Sequence, residues 1–164
     1  MPAVVVTPPE PIVSVEQAKR HLRVEHGDDD DYIADLVEVA TGWLDGPDGW
    51  LGRCLGEQVL ETAFPADLDP TLRRYPCPPF LGIVSEIPDV ITRTVTVRYR
   101  AGYPSTGTGA DRKSTVPAPI RHAILLMVSH LFNNRDAVTT TAAQPATLPM
   151  GVEALLASWR VWSA

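Results

Sequence analysis

Residues 116–135, Val-Pro-Ala-Pro-Ile-Arg-His-Ala-Ile-Leu-Leu-Met-Val-Ser-His-Leu-Phe-Asn-Asn-Arg, decide how this chain is read. Pro117 and Pro119 fit only the first turn of a helix, where a missing N–H would have had no partner anyway. Ile120, Ala123, Ile124, Met127, Val128 and Leu131 then recur at helical spacing, and Leu125 and Leu126 widen the apolar face. His122, Ser129 and Asn133 mark a thin polar edge. A helix with so narrow a polar stripe belongs under other elements rather than on a surface. The stretch predicts a central buried helix over about 118–135.

Working outward, residues 1–13 read as an extended, proline-rich arm. Ser14 and Gln17 form a capping box that opens a helix with Val15, Ala18 and Leu22 as its stripe, ending near 24–27. Residues 28–31 open a second helix to about Leu44, with Ile33, Leu36, Val37 and Ala40 at helical spacing and Trp43 and Leu44 closing the stripe. The acidic run lacks the glycine and alternating ligands of an EF-hand. Acids at a helix N-terminus instead stabilise it by about 0.3–1 kcal/mol each. Residues 58–64 predict a strand. In 92–100, Val95, Val97 and Tyr99 alternate with Thr94, Thr96, Arg98 and Arg100, the pattern of a half-buried strand. Prolines make 67–79 a loop, and 105–114 is polar and glycine-rich. Beyond the central helix, 136–148 reads as a flexible loop, and 150–160 as a C-terminal helix. The expected fold is mainly α: a small helical bundle around helix 118–135 with a small antiparallel β insertion at about 57–103. Residues 14–164 are expected to form a single domain behind the arm.

With 164 residues, 45% hydrophobic and 21% charged, the chain has room for a real core. Sixteen prolines imply many short breaks. The N-terminal residues carry no basic run followed by a long apolar one, so neither a signal peptide nor an anchor is expected. No apolar run approaches the length of a membrane span. The net charge of −6 is split unevenly, −11 over residues 1–70 and +5 over 71–164. Either the folded molecule has an acidic and a basic side that stack on copies or partners, or folding mixes the halves.

Catalytic patterns are missing. His21, His26, His122 and His130 have no ligand at helix-face spacing, and Cys54 and Cys77 form no Cys-x-x-Cys pair, so neither metal nor cofactor is expected. Ser105, Ser114 and Ser129 lie in no nucleophile elbow, and Gly102, Gly107 and Gly109 match no phosphate-binding loop. Arg73, Arg74, Arg98, Arg100, Arg112 and Lys113 are basic enough to touch a phosphate backbone but come with no recognition-helix pattern. The reading is of a protein that is not an enzyme.

Several collinear segments resemble the head–tail connector (adaptor) proteins of tailed bacteriophages and gene transfer agents. They are Ala18-Lys19-Arg20-His21-Leu22-Arg23-Val24 with Asp30-Asp31-Tyr32-Ile33, and Gly52-Arg53-Cys54-Leu55 with Gln58 and Glu61. Val97-Arg98-Tyr99-Arg100-Ala101-Gly102-Tyr103 follows, then Val116-Pro117 with Ile120, Ala123, Ile124, His130, Asn134 and Arg135. Leu148-Pro149, Gly151-Val152, Leu155-Leu156 and Arg160 close the set. Phe132 and Trp159 stand where tyrosine is commoner in that family. The resemblance implies a structural virion protein, assembled in the host cytoplasm, that forms a ring of typically twelve copies beneath the portal. Such a ring extends the channel for double-stranded DNA, without sequence specificity, and docks the next neck or tail-side protein. It implies no membrane contact. Under this reading Leu155, Trp159, Arg160 and Trp162 meet the portal, while Asp35, Glu38, Arg98 and Arg100 face a neighbouring subunit or the channel. A stopper or head-completion protein of the same neck is the nearest alternative, and a small DNA-binding regulator the alternative of another class.

Overall fold

A computed structural model describes residues 3–107, 113–135 and 150–161. The loop expected at 136–148 and Trp162 lie outside them. The chain divides into two compact units. One gathers residues 1–10, 44–116 and 161–164, and the other 11–43 and 117–160.

The first unit is built on an antiparallel sheet of β1 (Val4–Thr7), β2 (Gln58–Pro65), β3 (Phe80–Asp89) and β4 (Thr94–Ala101), in the order β1-β2-β4-β3. β2 and β4 alternate as their sequences predict. Leu60, Phe64, Val97, Tyr99 and Ala101 are buried on one face, while Arg98 and Arg100 reach solvent on the other. Cys54, Cys77, Tyr99 and Leu60 pack together beneath that face, and Tyr99 Oη donates to the Pro76 carbonyl at 2.8 Å. Gly102 has φ +106, and a Cβ there would lie 2.0 Å from the Gly56 carbonyl oxygen. Only glycine fits such a crossing of two backbones. A two-stranded ribbon of β5 (Ser105–Thr106) and β6 (Lys113–Ser114) completes the strands.

Asp45 ties the 44–58 segment together. Its carboxylate accepts from the Leu55 amide at 2.6 Å and from Gln58 Nε2 at 3.1 Å. Burial pushes its pKa up, against the pull of these bonds. Because the folded-state value lies above the unfolded one, this group's contribution to stability falls as pH rises through that window and is flat above it. Asp45→Ala leaves a backbone donor and the buried Gln58 amide unpartnered. It is expected to cost about 1–3 kcal/mol in urea denaturation at neutral pH.

The second unit is helical. α1 (Val15–Leu22) begins with the capping box expected: Gln17 N donates to Ser14 Oγ at 3.2 Å, and Ser14 N to Gln17 Oε1 at 3.2 Å. It ends at Arg23, in the left-handed region at φ 60. α2 (Asp30–Leu44) starts on two acids and buries Ile33, Leu36, Val37 and Ala40; Trp43, expected on that stripe, is exposed. α3 (Ala118–Asn133) buries Ile120, Ala123, Ile124, Met127 and Val128. Leu125, Leu126 and Leu131 are only half-buried, so the central helix is covered along one face and not all round. α1 packs on α3, and α4 (Met150–Leu156), continued by a 3-10 turn at Ala157–Trp159, packs on α3 through Val152 and Leu156. Tyr32 of α2 meets Phe132 with ring centroids 6.0 Å apart.

The fold is therefore mixed α and β, with 37% helix and 27% strand, and not mainly α with a small insertion. Two strands account for the difference. β3 carries bulges at 80–82 and 83–85 that break the period-2 alternation by which strands are recognised. β1 lies in the proline-rich arm, where Val4, Val5 and Thr7 of its four β-branched residues pair with β2.

Candidate functional site

The sheet unit displays apolar side chains that a folded unit ordinarily hides. The turn between β3 and β4 is held by Asp89, whose Oδ1 accepts from the Ile91 amide at 2.8 Å and the Thr92 amide at 3.3 Å. A hydrogen bond from the Thr92 side chain, reinforced by those amides, keeps this carboxyl below the ordinary carboxylate range. The braced turn carries Val90 and Ile91 at 88% and 93% exposure. A cavity of about 430 Å³ lined by Ala66, Asp67, Pro88 and Arg93 lies against the same turn. Along β3, Phe80, Leu81, Ile83, Val84 and Ile87 are exposed, as are Val4, Val5 and Val6 of β1 at the opposite edge. Apolar surface in water costs about 25 cal/mol per Å², and patches that gather many such side chains mark interaction sites.

The residues expected to touch partners are scattered over both units. Asp35 and Glu38 lie exposed on α2. Arg98 and Arg100 lie exposed on β4 but are engaged across the sheet, Arg98 Nε with Glu61 at 2.7 Å and Arg100 Nη1 with Glu57 at 3.2 Å. Leu155, Trp159 and Arg160 are half-buried in the other unit. Between the two readings of the charge split, these pairs favour mixing: Glu57, Glu61 and Asp29 of the acidic half bind Arg100, Arg98 and Arg135 of the basic half. Arg135 also sits 4.6 Å over the Tyr32 ring.

Cys54 and Cys77 are free and buried, and a hydrogen bond with Cys77 together with burial pushes the Cys54 thiol up, away from the reactive thiolate. Among the described residues no three His, Cys, Asp or Glu side chains are placed to hold a metal ion. His21 and His122, far apart in sequence, meet edge to face at 5.8 Å in an open cavity of about 350 Å³ that Arg20 and Arg121 also line. Sequence spacing could not have paired them, since the contact depends on how α1 packs on α3. No helix among the described residues is long and apolar enough to cross a membrane.

The apolar β3 edge is the feature that sequence reasoning missed. Its signal was present in the run Phe80-Leu81-Gly82-Ile83-Val84, but sequence does not say which apolar residues stay uncovered.

No family model matches this chain, and no curated protein does. Among solved structures, a chain from the "Neck of empty GTA particle computed with C6 symmetry" is similar over 100% of this chain and 97% of its own, at 16% identity and a TM-score of 0.62. The fold described above is that of a chain in the neck of a gene transfer agent particle.

Proposed function

We propose that this protein is a structural subunit of the neck of a phage-like particle, acting as the adaptor ring beneath the portal rather than as an enzyme. The observation that carries the reading is the end-to-end likeness of its fold to a neck chain, with almost nothing unmatched on either side. A sheet unit with uncovered apolar edges and a braced, aliphatic turn supports a role whose chemistry is contact with other subunits. In this reading the subunits form a ring, of twelve copies if it follows the resemblance, around the path of packaged DNA. A DNA-binding regulator is less well supported, because Arg73, Arg98 and Arg100 are spent on Glu86, Glu61 and Glu57.

The C-terminal segment, with Leu155, Trp159, Arg160 and Trp162, is the proposed portal contact. Val152 and Leu156 face inward on α4 and leave the Leu155 side for a partner. The test is the native mass of the chain mixed with the portal of the particle that encodes it. A complex carrying a full ring of copies is expected, and Leu155→Glu should raise the concentration for half-saturation at least tenfold while its melting curve stays near that of wild type. Binding to a preformed adaptor ring but not to the portal would replace the adaptor assignment by the stopper. Binding to neither would overturn the neck assignment itself.

A further inference from the structure

Two edges of the four-stranded sheet are open among the described residues, and they differ in kind. β1 offers Val4, Val5, Val6 and Thr7, with no charge and no proline in the strand. β3 offers ten residues, of which Glu86 and Asp89 alone are charged. Val4 is 64% and Val84 54% exposed. Natural sheets blunt such edges with lysine, inward charges, bulges, proline or a covering loop, because a bare apolar edge pairs with any strand that fits; here β3 has its two bulges and Pro88, and β1 a register shift between Val5 and Thr7. Neither edge carries a lysine.

The strand order makes the edge of a second copy a fitting partner. Along β1-β2-β4-β3 each neighbour runs antiparallel to the last, so β1 and β3 at the two ends of a four-stranded sheet run in opposite directions. A second copy rotated about an axis along the strands keeps its strand directions. Its β1 then arrives antiparallel to the first copy's β3, the more stable of the two pairings. An odd number of strands would have brought parallel edges together. The joint is heterologous, one edge against the other, and such joints close into rings when the rotation allows.

We propose that the ring is held by sheet extension, with the β1 edge of each subunit adding to the β3 edge of the next. The four residues of β1 need only four of β3's ten; the 81–84 stretch lies clear of Pro88, which cannot donate to a ladder, but includes parts of both bulges, so the added strand pairs there with an irregular register. The occupant of both edges is a second copy of this chain. The inference rests on the neck-ring reading above.

The test follows assembly of the full chain on the portal by native mass and by amide hydrogen exchange. In the wild type the outward-facing amides of β1 and β3 should slow at least tenfold on assembly, both edges together. Val5→Lys and Val84→Lys should each raise the concentration needed for a complete ring at least tenfold, with Thr106→Lys as a surface control that leaves it unchanged. Circular dichroism verifies that each variant is folded, and the exchange measurement needs no variant at all. Rings that form while both edges exchange as in the free subunit would overturn the sheet joint and leave the neck assignment standing. Absence of any ring would remove the neck assignment and the joint with it.

Discussion

Gly102→Ala is expected to destabilise the sheet unit by about 2–5 kcal/mol, the sum of a positive-φ penalty and an overpacked contact. The glycine holds φ +106, and an added methyl would sit 2.0 Å from the Gly56 oxygen and 2.6 Å from its carbonyl carbon. Both obstacles are backbone, so no rotamer change relieves them. Gly56 is itself hemmed in, with a Cβ there reaching 2.5 Å from the Pro9 side chain. The contrasting control is Gly42→Ala in α2, where nothing lies within 4 Å. That change should stabilise by about 0.5–1 kcal/mol through helix propensity alone. Urea denaturation midpoints measure both. Equal behaviour of the two variants would mean that the 56–102 crossing is not the constraint described.

Leu156→Ala is expected to cost about 2–5 kcal/mol, and Leu155→Ala less than about 1 kcal/mol. Leu156 is fully buried beside the equally buried Val152, whereas Leu155 is half in water. The comparison bears on function. Removing the whole C-terminal segment would strip side chains from the helical core, so lost portal binding in a truncated chain would say nothing about docking. The Leu155 substitutions keep that core. Chemical denaturation followed by helical circular dichroism decides the matter, and a Leu156→Ala midpoint within error of wild type would detach α4 from the core.

The elements whose local signals agree with their tertiary setting could be read from sequence. The Ser14–Gln17 capping box, the proline start of α3, and the alternation of Val95, Val97 and Tyr99 against Thr94, Thr96 and Arg98 each state one structure in two independent ways. β3 could not be read because its bulges cancel the alternation. β1 could not, because its four residues acquire meaning only against β2, more than fifty positions on. Composition likewise described helix 118–135 better than it described its surroundings: the face is buried at five of the six positions named, but the width of the cover depends on neighbours. Of the proposed contact residues, sequence supplied the charges of Arg98 and Arg100 but not their cross-strand partners. The exposure of Val90 and Ile91 is a property of the folded surface alone.

The sheet unit is stitched from separate stretches of chain: β1 near the start, the long middle stretch, and Val161, whose amide donates to the Leu51 carbonyl at 2.8 Å. A nascent polypeptide can therefore pair all four strands, which lie within residues 4–101, well before the bond from Val161 ties the later chain back onto residue 51.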